Sequence, residues 1–178
     1  MMEIAYIALG ANLGHSLENL LQAREALSLR FPSGFQASSF WLTEPVDCPP
    51  GSGDFINAVV SFETELQPLA LLHWLQSMEK KAGRERPHDL ENGIIKRKLN
   101  APRCLDLDII TMGDRISQSP PLILPHPRAS TRRFVLAPLA EIAPDLVLPG
   151  TTRSVHQLLE VAPSLRIKKI DSDGSDNA

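Results

Sequence analysis

Residues 4–9, Ile-Ala-Tyr-Ile-Ala-Leu, form a nearly unbroken apolar run. A run this short predicts a β-strand covered on both faces, because a strand with one wet face alternates apolar and polar side chains. The rest of the chain must therefore pack on either side of it. With 178 residues, 43% of them hydrophobic, there is enough chain for one soluble domain with a proper core.

Turn formers at Gly10-Ala11-Asn12-Leu13-Gly14 end the run, and Ser16 is a fair N-cap for a helix reaching about residue 29, with Leu17, Leu20, Leu21 and Leu27 on one face. Residues 35–43 read as a second strand and residues 55–66 as a third. The loop between them, residues 45–54, centres on Pro49-Pro50-Gly51. Pro68 suits the first position of a second helix whose stripe is Leu71, Leu72, Leu75 and Met78, with Gly83 as its stop. Residues 84–103 lack periodicity and read as a loop, and residues 105–111 as a fourth strand. Gly113-Asp114 predicts a turn into a short strand near Ile116, and residues 120–127 form a second proline-dense loop. Further helices are expected at 133–142 and 155–161, then a polar disordered tail from 171 to 178. The order βαββαβ predicts an α+β fold: a ferredoxin-like plait, extended, with helices on a mostly antiparallel sheet, residues 1–170 making a single domain. That architecture names no function.

Composition excludes several classes. A net charge of −3 argues against a generally basic nucleic-acid-binding surface. Cys48 and Cys104 show neither metal spacing nor a disulfide framework, which suits a reducing cytoplasm. The first apolar run lacks a basic leader, and no stretch nears the ~20 apolar residues of a membrane span. A soluble cytoplasmic protein is expected.

The sharpest chemical feature is Leu105-Asp106-Leu107-Asp108-Ile109-Ile110. On a strand, Leu105, Leu107 and Ile109 face the core while Asp106 and Asp108 stand together on the other side. Paired carboxylates repel unless a cation sits between them, and Mg²⁺ takes one or two carboxylates plus phosphate oxygens. Two solvated acids on a half-exposed strand are the alternative for a bare Asp-x-Asp. The neighbourhood favours the metal. Residues 80–103 hold eight basic side chains against three acidic, a net +5 that leaves −8 for the rest of the chain. Arg84, Arg86 and Arg103 in this segment are suited to gripping phosphates. Walker and dinucleotide glycine motifs are missing, as is a nucleophile elbow. His126, held between Pro125 and Pro127, is the histidine to watch, although a lone histidine is more often structural than a ligand contact.

At these residues the chain resembles the 6-hydroxymethyl-7,8-dihydropterin pyrophosphokinase family. Ala101-Pro102-Arg103-x-x-Asp106-Leu107-Asp108-Ile109-Ile110 matches its signature. The likeness extends over residues 4–150, through Asp54-Phe55-Ile56-Asn57-Ala58, Glu79 with Gly83-Arg84-x-Arg86, Pro125-His126-Pro127-Arg128 and Arg132-Arg133-Phe134. The resemblance implies transfer of pyrophosphate from ATP to the pterin hydroxymethyl group, with release of AMP. It implies two Mg²⁺ ions on Asp106 and Asp108, and catalytic roles for Arg84 and Arg103. ATP contacts are implied for Arg84, Arg103, His126 and Arg132. For the pterin it implies stacking by Phe55 and Phe134, an amide from Asn57, and backbone near Thr43 and Val46. This sequence departs from several relatives in carrying Asn100 where they have a lid tryptophan, a longer 86–103 segment, and Pro121 and Ile123 where polar or basic residues are common.

The expectation is a monofunctional, monomeric enzyme with ATP and hydroxymethyldihydropterin as partners and neither nucleic acid nor membrane, the length leaving no room for the synthase or aldolase domains found fused to some relatives. The alternatives are a pterin- or nucleotide-binding paralogue with weak or no transfer activity, a palm-like nucleotidyltransferase releasing pyrophosphate, and a purely structural plait.

Overall fold

The computed structural model describes residues 1–83 and 103–170. Its described elements are β1 (Glu3–Ala11), α1 (Ser16–Arg30), β2 (Gln36–Ala37), β3 (Phe40–Thr43), β4 (Phe55–Thr64), α2 (Pro68–Lys81), β5 (Asp106–Met112), α3 (Arg133–Ile142), α4 (Val155–Val161) and β6 (Ile167–Ile170). The sheet order is β5-β1-β4-β3-β6, with β2 also on β4, and every neighbouring pair is antiparallel. The α+β plait expected from the element order is the observed fold. Residues 84–102, with Arg84 and Asn100, and the tail 171–178 lie outside the described residues.

The apolar first strand is covered on both sides. Ala5, Ile7, Leu9 and Ala11 face one core with Leu20 and Leu27 of α1, Leu71 and Leu75 of α2, and Leu105, Leu107 and Ile109. Phe31 stacks on Phe62 there at 4.3 Å and meets Trp74 edge-on at 5.2 Å. Tyr6 and Ala8 turn to the opposite face, where Val59 and Ile110 pack beneath α3 and α4. Period-two alternation thus sends alternate residues of one strand into two separate cores.

Several expectations differ from the structure for local reasons. The second strand is split, with one more residue between Ala37 and Trp41 than between their partners Val60 and Asn57. Ser38 causes the bulge: its N–H donates to the Val59 carbonyl and its hydroxyl accepts the Val59 N–H, each at 2.9 Å, replacing a regular rung. The first helix has His15 as its N-cap and Ser16 as its first residue, without a side-chain cap. A turn at Gly14, φ +67°, in which Ser16 N–H donates to the Gly14 carbonyl at 3.0 Å, starts it one residue early. The strand expected near Ile116 is a single bridge between Ser117 and Leu124. Strand β6 carries Lys168 and Lys169 on exposed positions and gave no apolar alternation to read. No helix among the described residues is long and apolar enough to cross a membrane.

Candidate active site

Helices α3 and α4 cover only part of their sheet face. Beyond Ala8, Val59 and Ile110 the same face continues to Gly10, Asn57, Asp106 and Asp108, and there it opens into a pocket. Gly10 is the hinge of this arrangement, paired with Asn57 on one side and Asp106 on the other. Of the eleven sequence-derived site residues, all except Arg84 border this one pocket: Thr43, Val46, Phe55, Asn57, Arg103, Asp106, Asp108, His126, Arg132 and Phe134. Arg84 lies outside the described residues.

The acidic end is built on β5. Asp106 and Asp108 alternate with buried Leu105, Leu107 and Ile109, so the strand pleat aims both carboxylates at the pocket. The Arg103 guanidinium ion-pairs with Asp106, both side chains being largely shielded from solvent. Arg103 is itself held by the glycine-flanked turn after β1. Its N–H donates to the Asn12 side-chain oxygen at 2.8 Å, and its carbonyl accepts from the N–H groups of Asn12 and Leu13 at 3.0 and 3.2 Å. Asn19 of α1 adds a bond to the Cys104 carbonyl at 3.0 Å. At the outer edge of the sheet, fully buried Glu79 of α2 accepts the Leu107 N–H, between the two aspartates, at 2.8 Å.

A bulge on β5 continues the construction. The ladder to β1 slips by one residue at Ile110, which turns into the α3 core, and the Ile110 carbonyl accepts the His126 N–H at 2.7 Å. His126 Nδ1 accepts the Arg128 N–H at 3.2 Å, so the neutral ring carries its proton on Nε2. Burial, then the charges of Arg132 and Arg128, pushes the His126 pKa down to about 4. The ring is therefore neutral at physiological pH and offers a donor. Burial, followed by the Arg128 charge, also lowers the Arg132 pKa against the pull of Asp108 and other carboxylates. An arginine so placed is still charged at neutral pH. Its guanidinium lies 5.2 Å from the Phe134 ring centre, within cation–π range.

The opposite end of the pocket joins aromatic and aliphatic side chains to the Asn57 amide, Thr43 and Glu44. Phe55 and Asn57 come from β4, Thr43 from β3, and Phe134 from the first turn of α3. Asn57 is buried and its amide donates to the Thr43 hydroxyl at 2.7 Å, which fixes its orientation. Val46 and Cys48 reach in from the 45–54 loop. Arg166 ties the two stems of that loop: its N–H donates to the Glu44 carboxylate at 2.8 Å and its guanidinium to Asp54 at 3.0 Å. Sequence reasoning missed Gly10, Asn12, Glu44, Cys48 and Arg166. Only the first two stood in a legible motif, the Gly-Ala-Asn-Leu-Gly turn.

A half-covered antiparallel sheet with paired carboxylates and arginines at one end of a pocket and an amide among aromatic rings at the other defines a small-molecule site on a ferredoxin-like plait. The chain belongs to the 7,8-dihydro-6-hydroxymethylpterin-pyrophosphokinase family, whose model matches residues 6–144. It is 41% identical over 168 residues to the 2-amino-4-hydroxy-6-hydroxymethyldihydropteridine pyrophosphokinase of Haemophilus influenzae, covering 94% of this chain and 98% of that protein. To the enzyme of the same name from Pseudomonas aeruginosa it is 37% identical, covering 96% of this chain and 98% of that one. A folic acid synthesis protein of Pneumocystis carinii is 37% identical over 94% of this chain, which spans only 21% of that longer protein. Among solved structures, the HPPK-DHPS protein of Plasmodium falciparum with pterin and p-hydroxybenzoate has the same fold at a TM-score of 0.64 and 12% identity, over 90% of this chain and 43% of that one.

Proposed function

We propose that this protein transfers pyrophosphate from ATP to 6-hydroxymethyl-7,8-dihydropterin, releasing AMP, in folate biosynthesis, with residues 1–170 acting as one monomeric domain in the cytoplasm. The observation that carries this reading is the meeting, in one pocket, of Asp106 and Asp108 with Phe55, Asn57 and Phe134. Curated relatives named for this activity, at similar length, support it.

The pterin lies between Phe55 and Phe134, whose faces suit a flat heterocycle, while Asn57, already oriented by Thr43, reads its polar edge. The ATP phosphates lie toward Arg103, His126 and Arg132, with Arg84 assigned to the same task. The substrate hydroxymethyl oxygen bonds to the β-phosphorus as the bond from that phosphorus to the AMP oxygen breaks, and the hydroxyl proton is released. The arginines and the neutral His126 Nε2–H hold the phosphates in line and offset the growing negative charge.

The donor set fits Mg²⁺. Two carboxylates face one pocket from alternate positions of β5, and among the described residues no group of three or more His, Cys, Asp or Glu side chains forms a self-sufficient cage. A hard ion that completes its shell with phosphate and water oxygens needs only this. Asp106 and Asp108 would hold two such ions, which would neutralise charge on the phosphates and the leaving AMP.

The test is a single-turnover reaction with ATP, Mg²⁺ and hydroxymethyldihydropterin. Equal amounts of AMP and pterin pyrophosphate are expected. Release of inorganic pyrophosphate would instead identify a nucleotidyltransferase, and pterin binding without AMP a binding module.

A further inference from the structure

One carboxylate far from the phosphates gathers three elements behind the pocket. Glu141 near the end of α3 accepts the Trp41 indole N–H at 2.5 Å through one oxygen and the Ser39 N–H at 3.1 Å through the other. Lys169 of β6 approaches the same carboxylate at 3.4 Å and lies 5.2 Å from the Trp41 ring centre. Ser39 follows the Ser38 bulge, which frees its N–H from the ladder for this contact. Hydrogen bonds to a charged acceptor are stronger than neutral ones, and here two converge on one carboxylate.

The elements joined are those that form the two walls of the aromatic slot. Phe134 precedes Glu141 by seven residues, two helical turns, so both lie on one side of α3. Trp41 pairs with Asn57 and Thr43 with Phe55, so the strand pair gripped by Glu141 also carries the far wall. Helix α3 needs an outside tie, because Pro138 has no N–H to donate to the Phe134 carbonyl one turn back.

We propose that Glu141 and Trp41 are positioning residues whose bond sets the spacing between Phe134 and Phe55, and with it the affinity for the pterin ring. This inference rests on the pterin reading of the pocket. Neither residue borders the pocket, so they act through α3 and β3.

The test titrates 6-hydroxymethylpterin into protein saturated with Mg²⁺ and a non-hydrolysable ATP analogue, and measures the analogue's affinity separately. Glu141→Ala is expected to weaken pterin binding about tenfold and Trp41→Phe, which keeps a ring without the N–H, about fourfold. Glu141→Gln, which keeps an acceptor oxygen, should stay within about threefold of the unaltered protein, and analogue affinity within about twofold throughout. Trp41→Phe decides the question even where Glu141→Ala does not fold. Unchanged pterin affinity in Trp41→Phe, or equal losses for pterin and analogue, overturns the tie. An unaltered protein that binds the analogue but no pterin overturns the pterin reading itself, and the inference with it.

Discussion

A Cβ added to Gly10 would lie 3.0 Å from the side-chain oxygen of Asn57, so the amide rests directly on the bare backbone of β1. The same amide donates to Thr43 at 2.7 Å and has little freedom to move aside. Gly10→Ala is therefore expected to raise the pterin KM about tenfold and leave the ATP KM within about twofold. Stability should change little, because alanine regains about 0.5–1 kcal/mol of backbone entropy in a strand. Steady-state kinetics with each substrate varied, beside thermal melts, check both halves.

Removing either carboxylate charge on β5 should separate activity from folding. Asp106→Asn and Asp108→Asn are each expected to lower kcat by at least about a hundredfold at saturating Mg²⁺. Neither substitution should unfold the protein, although Asp106→Asn takes the counter-charge from the part-buried Arg103 guanidinium and should cost more stability than Asp108→Asn. Chelating the divalent ion in the unaltered protein should abolish turnover without unfolding it. A kcat within tenfold of the unaltered enzyme in either variant would remove that aspartate from the proposed metal site.

His126 gives the molecule a pH dependence with a defined sign. In the unfolded chain the ring takes up a proton near 6.5, but in the folded protein only at about 4. Between those values the unfolded state binds more protons, so stability falls as pH drops from 6.5 toward 4 and is insensitive to this residue above that window. Chemical denaturation at a series of pH values should show the slope, and His126→Gln should flatten it.

Glu79 is fully buried and accepts the Leu107 N–H. Glu79→Ala leaves that donor buried without this acceptor and opens a void, so a loss of about 2–4 kcal/mol is expected. Glu79→Gln keeps an oxygen in place and should cost less. Urea denaturation of the two variants orders them, and equal losses would show that the hydrogen bond to Leu107 is not what Glu79 contributes.

The sequence reading succeeded where one physical signal was undivided. Helix α3 at Arg133–Ile142 and α4 at Val155–Val161 match the expected spans, because their apolar stripes face a single core. Asp106 and Asp108 were legible through strict alternation with buried neighbours. Reading failed where a side chain rewired the backbone: the Ser38 hydroxyl took over a rung that propensity assigns to the main chain. It failed again at β6, where Lys168 and Lys169 on a short terminal strand hide a pairing with β3 that only the tertiary fold supplies. Asn12 and Arg166 grip residues 91 and 122 positions away in the chain, and no local pattern encodes such reach.

The unequal cover of the sheet's two faces has one more consequence. Helices α1 and α2 pack along β1 from Ala5 to Ala11, while α3 and α4 stop at Ala8 and leave the end beyond it bare. On the proposed reading a flat ring between Phe55 and Phe134 would fill the place of the missing tier, and the reactant would double as a removable piece of the protein's interior. Assembly would then be finished by the molecule to be converted, and melting temperature would become a gauge of how much of it is present.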